Sequence, residues 1–363
     1  MLIPMICSNY VTGIISSTEN RILASFPKIR DNNGNFNNAF GSEFTTWLND
    51  SIGFRNTFFE IKYYIDLTFF RITYPGEKIG KDNWLFLLPA DNVRKAQNNN
   101  LYTYEQMAYF VKRLSAITSY YAVKNIEFCM MAFPHKIELY SDYLPDTIIK
   151  INKQSLIEQA KEYLENNPYF DFQAPIQPFL DAKKRMLIYS KAADNAHWNN
   201  YGAFIGYTLL MSQVKKHIDE IRILTTYDFN IISFKRDTYR AGKIFTNETD
   251  YEFELRKPAQ VISSKSYLFD IGFQSVDMYK SYNYFSNVDD SLPRAIIIGD
   301  SYIWMFMLPW LAESFSEMVF INYTDINQLP KLIDKIKPDI VISTGLTGSV
   351  LSSAYININP YTG

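Results

Sequence analysis

The sequence predicts an α/β fold in which a parallel sheet is covered by helices on both faces. Short apolar runs such as 126–133, 295–298 and 340–343 have the length of strands. Because they lack polar–apolar alternation, they are typical of strands that are buried on both sides. Longer segments with helical spacing of apolar residues lie between them, which is the pattern of a three-layer α/β/α domain. In such folds ligands bind beyond the carboxyl ends of the strands, so functional residues are expected there.

The periodicity and length of each segment predict the following elements. The predicted strands are 84–88, 126–133, 170–172, 295–298, 318–321 and 340–343, and the predicted helices are 103–124, 146–166, 199–217, 304–315 and 326–336. Before them, 42–72 has helical periodicity with a break near Gly53. Residues 222–290 mix β-type runs with loops, so we predict a partly β insertion with hairpins there. The sequence therefore predicts a helical segment at 19–78 and a main domain at 79–363.

Turn-forming residues separate several of these elements. The run DNNGNFNN at 31–38 favours a loop, because Asn and Gly tolerate turn conformations. Pro75, Gly76 and Gly80 favour turns just before the first strand of the main domain.

The first 18 residues match no simple targeting or membrane signal. They carry no charged side chain, but Ser8, Asn9, Thr12 and Gly13 interrupt their apolar character, and no basic segment precedes them. As they stand, they form neither a signal peptide nor a convincing membrane span. The alternative is that residues 1–18 are the end of a membrane anchor or a linker whose first part is missing from this sequence.

Composition excludes several classes of function. Of the 363 residues, 47% are hydrophobic, which rules out a disordered chain, and 36 Lys and Arg against 38 Asp and Glu leave no basic excess for nucleic-acid binding. Two cysteines, Cys7 and Cys129, exclude a disulfide scaffold, and with three scattered histidines we expect no metal and no cofactor. The 27 Tyr and 27 Phe fit a large core. A cleft with stacking surfaces for sugar rings is the alternative.

The strongest local signal is the run RAIIIGDSYIWMF at 294–306. A buried strand leads into Gly299, Asp300 and Ser301, and a helical pattern follows. Ser301 would then lie at the carboxyl end of a strand and near a helix N-terminus, where its backbone N–H can help stabilise a developing oxyanion. This position suits a serine nucleophile. The alternative is that Asp300 or Ser301 only caps the helix.

A serine nucleophile needs a base, and His197 is the best candidate among the three histidines. It precedes a predicted helix and has Asp194 and Asn195 upstream. A carboxylate near a histidine holds it in one tautomer and makes it a better base. His217 follows two lysines at a helix end and is expected to face solvent, and His135 lies in the loop after a strand.

With GDS at 299–301 and HWNNYGA at 197–203, the chain resembles the alginate O-acetyltransferase group of the SGNH hydrolase-like superfamily. That group also includes peptidoglycan and other exopolysaccharide O-acetyltransferases. Further similar segments, in chain order, are ENRILASFP at 19–27, NDSIGFRNTF at 49–58, IGKDNWLFL at 79–87, FPHKIELYSDYLP at 133–145 and KPDIVIS at 337–343. No single segment is specific, but their number and order are, and they extend over most of the chain.

The resemblance implies an SGNH-like catalytic domain in which Ser301 takes an acetyl group as an ester and His197 is the base. The acid of the family usually lies two residues before the histidine. Here that residue is Asn195, and Asp194 lies three before it, so both are candidates for orienting the imidazole.

Further residues beside Ser301 and His197 are expected to belong to the site. Gly299 and Asp300 would complete the oxyanion turn. Trp198, Lys136 and Tyr302 are expected to contact the substrate.

The function that this resemblance implies is transfer of acetyl groups to hydroxyls of a cell-envelope or secreted polysaccharide. The partners implied are the polysaccharide acceptor and a membrane-bound O-acyltransferase that supplies acetyl groups. The implied location is extracytoplasmic, periplasmic or at the cell surface, with the N-terminus as an anchor. Two alternatives stay open: an acetylesterase with the same site, and a non-catalytic glycan-binding or scaffold protein. The uncharged run STGLTGSVL at 343–351 favours the second, because the family often has a Glu-Arg pair there.

Overall fold

A computed structural model of the chain describes residues 15–16, 21–31, 33–70, 73, 75–235, 248–277 and 279–356. It divides the chain into two units, residues 1–74 and residues 75–363. The predicted anchor or linker at 1–18 lies outside the described residues except for 15–16. Among the described residues, none of the helices combines the length and the apolar character that crossing a bilayer requires.

The first unit consists of a short strand pair and two helices. Strands β1 (Ile15–Ser16) and β2 (Arg21–Ile22) are antiparallel, and helices α1 (Phe40–Ser51) and α2 (Arg55–Phe70) follow. Between the helices, Phe54 has a φ of 60°, which ends the α-helical conformation close to the predicted break. Trp47 of α1 is buried, and its ring lies 4.8 Å from that of Phe26.

The second unit carries the remaining elements. In chain order they are β3 (Glu77–Ile79), β4 (Leu85–Leu87), α3 (Ala90–Ala96), α4 (Tyr104–Val123), β5 (Glu127–Phe133), α5 (Lys136–Leu139), α6 (Leu156–Leu164), β6 (Asp171–Gln173), α7 (Ile176–Lys183), α8 (Asn200–Val214), β7 (Phe229–Lys235), β8 (Thr249–Leu255), β9 (Val261–Ser263), α9 (Lys265–Asp270), β10 (Asn283–Asn287), β11 (Arg294–Gly299), α10 (Ser301–Trp304), α11 (Leu308–Ala312), β12 (Glu317–Asn322), α12 (Leu329–Ile336), β13 (Ile340–Leu346) and α13 (Thr347–Leu351). Short 3-10 turns lie at Lys81–Asn83, Ser141–Tyr143, Thr226–Asp228, Tyr323–Gln328 and Ser352–Tyr355.

A mostly parallel sheet forms the centre of this unit. In the described part of the chain it has seven strands in the order β6-β5-β13-β11-β12-β10-β9. Strands β6, β5, β13, β11 and β12 are parallel, and β10 is antiparallel to β12. Because β11 lies beside both β13 and β12, the loop that follows it opens at the middle of the carboxyl edge.

Both faces of this sheet are buried. Cys129, Met131 and Phe133 of β5 belong to one apolar cluster, and Phe128 and Met130 belong to the other. Neighbouring residues of a strand point to opposite faces, so each cluster covers one face. This confirms the predicted α/β class with helices around a parallel sheet.

Three predicted segments differ from the structure. Residues 146–155 are not helical, and α6 begins only after Ser155, whose side chain and that of Glu158 form a capping box. The predicted helix 304–315 is replaced by α10 and α11, and Pro309, which has no N–H, lies in the first turn of α11. Residues 222–290 include the antiparallel pair β7–β8, but β9 and β10 of the same segment are strands of the central sheet.

At the amino ends of β5 and β6, His217 bridges two carboxylates instead of facing solvent alone. Its Nδ1 lies 2.7 Å from Glu127 Oε2 and its Nε2 lies 3.0 Å from Asp171 Oδ2. The hydrogen bond to Asp171, joined by that to Glu127, raises the pKa of His217 above its usual value.

This bridge predicts a pH-dependent contribution to stability. A raised pKa means that the folded protein holds the proton more tightly, so the contribution is complete below the unfolded pKa of about 6.5 and is lost as pH rises through the folded pKa. The stability difference between wild type and His217→Gln should therefore be largest in mild acid and shrink in alkaline solution. Melting temperatures across pH 5.5–9 measure it. A constant difference would contradict the bridge.

Candidate active site

Ser301 lies at the carboxyl end of β11, where it begins α10. The side chain of Asp300 caps this turn, because its Oδ1 accepts a hydrogen bond from the backbone N–H of Tyr302 over 3.0 Å. Gly299 allows the turn to pack closely, since a Cβ there would lie 2.8 Å from the Phe320 ring and 3.0 Å from Ile303. The strand–Gly–Asp–Ser pattern thus produces a tight turn that presents the serine at the sheet edge.

His197 reaches this serine from a segment about a hundred residues earlier. Its Nε2 lies 2.9 Å from Ser301 Oγ. Its Nδ1 lies 3.1 Å and 3.2 Å from the two carboxylate oxygens of Asp194. An ionised carboxylate only accepts hydrogen bonds, so Nδ1 carries the proton and Nε2 is left to accept one from the serine hydroxyl. The three side chains therefore form a connected Ser–His–Asp arrangement.

Asp194 is held in its charged form. Burial alone would raise its pKa, but hydrogen bonds from the His197 ring and from the backbone N–H groups of Ala196 and His197 outweigh this and keep the pKa of Asp194 well below the usual range. Asn195, the alternative candidate two residues before His197, binds a different partner. Its Nδ2 donates to Glu77 Oε1 over 3.0 Å.

The loop that carries Asp194 and His197 is held by side chains from distant parts of the chain. The carboxylate of Glu248 accepts hydrogen bonds from three consecutive backbone N–H groups, those of residues 191–193, at 3.0–3.2 Å. Ser190 Oγ accepts the N–H of Asp194 over 2.7 Å, and the hydroxyl of Tyr302 donates to the Ala196 carbonyl over 2.6 Å. These contacts fix the position of the imidazole without touching it.

Lys136 also holds the loop that carries Asp194 and His197, through hydrogen bonds to backbone carbonyls. Its Nζ donates to the carbonyls of Leu85 at 2.7 Å and Asp194 at 2.8 Å, and more distantly to that of Lys191 at 3.4 Å. The residue is fully buried, with its ammonium over the rings of Trp84 and Phe86. The prediction that Lys136 contacts substrate is therefore wrong, because backbone carbonyls surround its charge.

Replacing Lys136 with Met should destabilise the protein and slow any reaction at Ser301. Each buried carbonyl that loses its donor costs about 1–3 kcal/mol. Urea denaturation measures the loss in the free energy of unfolding. Lys184→Met is the matched control, because the Lys184 side chain is 70% exposed. Equal stability of the two variants would show that the carbonyl contacts do not hold the loop.

Trp198 and Tyr302 are also core residues and not substrate contacts. Trp198 is fully buried, and Tyr302 is 1% exposed. Their rings lie 5.0 Å apart, and Tyr302 lies 5.2 Å from the ring of His197. The prediction that Trp198 and Tyr302 contact the substrate is therefore wrong, because both side chains are buried in the apolar core.

His135 lies at the same edge of the sheet, after β5, but it is not suited to act as a base. Its Nδ1 accepts the backbone N–H of Ile137 over 3.1 Å and so caps α5. Burial lowers its pKa to about 3, and the charge of Lys95 adds to this effect. His135 is therefore neutral, with one ring nitrogen already engaged.

Asp300 connects the Ser301 turn to the end of β13. Its Oδ2 accepts the backbone N–H of Leu346 over 2.7 Å. The preceding Gly345 has a φ of +145°, and a Cβ there would lie 2.6 Å from the same oxygen. Burial raises the pKa of Asp300, although its hydrogen bonds act in the opposite direction. The uncharged run 343–351 thus contains the backbone that receives this carboxylate.

The backbone N–H groups of the turn at Gly299, Asp300 and Ser301 differ in whether they already have an acceptor. The N–H of Tyr302 is engaged by the Asp300 side chain and that of Ile303 by the Asp300 carbonyl. The first N–H of a helix has no partner within the helix, so the N–H of Ser301 is left available to a ligand at this turn. Among the described residues, no group of three or more His, Cys, Asp or Glu side chains is arranged to hold a metal ion.

Sequence reasoning missed Glu248 and Glu77, the two buried acids that support the loop. Both lie far from the loop in sequence, Glu77 at the start of β3 and Glu248 just before β8. No local pattern singles them out, because β3 (EKI) and β8 (TDYEFEL) both contain other charged residues.

Comparison with known proteins gave matches at the level of structure alone. Neither models of protein families nor curated protein sequences matched the chain. The structure of Bacillus cereus PatB1 aligns with a TM-score of 0.54 at 14% identity, covering 76% of this chain and 96% of that one. PatB1 with a sulfonyl adduct aligns with a TM-score of 0.53 at 15% identity, covering 75% and 94%. These similarities show a shared fold.

A weaker match is the O-acetyltransferase domain of Pseudomonas putida AlgJ. Its TM-score is 0.40 at 14% identity, with 76% of this chain and 93% of that one covered.

Proposed function

We propose that the protein is a serine-dependent O-acetyltransferase that acts on hydroxyl groups of a polysaccharide. The observation that carries this proposal is the connection from Ser301 Oγ to His197 Nε2 at 2.9 Å and from His197 Nδ1 to Asp194 at 3.1 Å. A hydroxyl, an imidazole and a carboxylate in this order form a nucleophile, a base and the group that orients the base.

The first half of the reaction loads the serine. His197 Nε2 accepts the proton of the Ser301 hydroxyl as Oγ attacks the carbonyl carbon of an acetyl ester. The bond to the donor's leaving oxygen breaks, and that oxygen takes the proton from His197. The negative charge on the carbonyl oxygen is stabilised by the Ser301 N–H while it develops.

The second half transfers the acetyl group. His197 accepts the proton of a sugar hydroxyl, whose oxygen attacks the acetyl-serine. Ser301 Oγ leaves and recovers the proton from His197. Water in place of the sugar gives acetate, so the same site would act as an acetylesterase wherever water has access to the ester.

Two further points support the proposal and extend it. The sequence resembles polysaccharide O-acetyltransferases in its serine and histidine segments, and PatB1, which shares the fold, has been observed with a sulfonyl adduct. By the same resemblance we propose an extracytoplasmic location and a membrane-bound O-acyltransferase as the source of acetyl groups. A sulfonyl fluoride is accordingly a second probe for a reactive serine.

The test is to trap the ester. The full chain is incubated with 4-nitrophenyl acetate, and peptide mass spectrometry is used to find an adduct of about 42 Da on Ser301, the mass of an acetyl ester of a serine nucleophile. Hydroxylamine should remove it, which separates an ester from acetylated lysines. Phenylmethanesulfonyl fluoride should block its formation. Acetylation confined to lysines, with Ser301 unmodified by both reagents, would overturn the proposal.

Adding an acceptor then separates the transferase from the esterase. Transfer of the labelled acetyl group from Ser301 to an oligosaccharide, faster than release of free acetate, supports the transferase. Release of acetate at a rate that no oligosaccharide changes supports the esterase. Loss of the adduct in Ser301→Ala with unchanged modification of the polymer would favour the scaffold alternative.

A further inference from the structure

A cavity of about 540 Å³ lies at the amino ends of β5 and β6, whereas Ser301 follows the carboxyl end of β11. Its walls are the end of α4, the loop 165–170, strand β6 and the residues that follow α8. We call it the β6 groove. Its volume falls in the range of about 300–1,000 Å³ that is usual for ligand sites. Nothing in the proposed chemistry at Ser301 uses it.

An exposed aromatic ring lines the groove. Tyr169 lies on the loop 165–170 and is 68% exposed. In the described part of the chain no other aromatic ring packs against it. An aromatic ring buries a large apolar area when a ligand covers it, and its phenol supplies a polar tip. The apolar C–H face of a sugar ring is a ligand of this shape.

Amide side chains line the same groove and have unused hydrogen-bonding groups. Asn166 and Gln173 line the groove, and within the described residues neither side chain makes a hydrogen bond. Asn167 Oδ1 accepts the N–H of Tyr169, which leaves its NH₂ group to the groove. An amide both donates and accepts, as sugar hydroxyls do, so these groups match neighbouring hydroxyls of a sugar.

The carboxylates that line the groove have partners within the protein. His217 bridges Glu127 and Asp171, and Lys161 Nζ lies 2.9 Å from Glu165 Oε2. Glu127 and Asp171 share His217 and Glu165 is paired with Lys161, so none of the three carboxylates is free to bind a metal ion, and Lys216 is the one further charged residue of the lining. An uncharged, hydroxyl-rich ligand fits this environment.

We propose that the β6 groove binds a stretch of uncharged oligosaccharide, at a site separate from Ser301. The inference goes beyond the acetyl chemistry and does not depend on it, since the groove would bind sugar whether or not Ser301 is acetylated. If both sites engage one polymer, the groove raises the local concentration of acceptor at the enzyme without a new contact at the reacting serine.

Binding to the intact chain tests this directly. Cellohexaose and chitohexaose are the uncharged probes, and a hexamer of galacturonic acid is the anionic one, with affinity measured by calorimetry and the site by NMR shifts. Tyr169→Ala should weaken binding of an uncharged probe by about tenfold, which corresponds to about 1.4 kcal/mol. Tyr227→Ala is the matched control, because Tyr227 is 87% exposed and lies outside the groove.

The outcomes are distinct from those of the acetylation test. Binding that weakens in Tyr169→Ala and in Gln173→Ala but not in Tyr227→Ala, with Ser301 acetylation unchanged in all three, supports the groove. Equal affinity in Tyr169→Ala and wild type, preference for the anionic hexamer, or no binding of either uncharged probe at millimolar concentration overturns it.

Discussion

Replacing Asp194 with Asn is expected to slow acetylation of Ser301 by about 10³–10⁴-fold, because the imidazole would adopt the wrong tautomer. The reason lies in the two oxygens of the carboxylate. Oδ1 accepts the N–H groups of Ala196 and His197, so the oxygen of an Asn side chain would have to stay there. Its NH₂ would then face His197 Nδ1, which would become the acceptor, and Nε2 would carry the proton.

The measurement is the initial rate at which the acetyl adduct forms on Ser301. Asp146→Asn is the matched control, since the Asp146 side chain is 87% exposed and lies in a surface ion pair. Thermal unfolding of each variant separates a slower reaction from a smaller folded fraction. A loss of less than tenfold in Asp194→Asn would mean that the carboxylate does not orient the base.

Replacing Gly345 with Ala is expected both to destabilise the fold and to displace the nucleophile. The φ of +145° is strained for a residue with a Cβ, at a cost of about 1–3 kcal/mol. The new methyl group would also lie 2.6 Å from Asp300 Oδ2, so the carboxylate that caps the Ser301 turn must move. A displacement of about 1 Å at a reacting group can cost about a hundredfold in rate.

Gly348→Ala provides the control for this prediction. A Cβ at Gly348 meets nothing within 4 Å, and the residue lies in α13, so the change should be neutral or slightly stabilising. Urea denaturation and the rate of adduct formation are measured on both variants. If Gly345→Ala is as stable and as fast as Gly348→Ala, the close approach of Asp300 to β13 does not position the serine.

The periodicity of the sequence predicted the sheet because each of its central strands is buried on both faces. Residues 128–133 and 295–298 contain only apolar side chains, which is the pattern expected of strands that are buried on both faces. The pairing of Ser301 with His197 was expected from the choice among three histidines and from the resemblance of both segments to those of polysaccharide O-acetyltransferases.

The errors arose where distant residues decide the environment. Lys136, Trp198 and Tyr302 lie next to the reactive segments in sequence, yet each is buried by parts of the chain that local patterns do not reveal. The spacing to His197 did not distinguish Asp194 from Asn195. That distinction depends on Glu77, which binds the amide from more than a hundred residues away.

The hydrogen bonds between Glu248 and the backbone at 191–193 link the hairpin β7–β8 to the candidate site. The hairpin β7–β8 contributes no side chain to the Ser301, His197 and Asp194 arrangement, so its removal would look harmless to the site. However, the Glu248 carboxylate, just before β8, accepts hydrogen bonds from three successive backbone N–H groups in the segment that leads to His197. A truncated chain without that hairpin would keep its serine, imidazole and aspartate and lose the scaffold that aligns them.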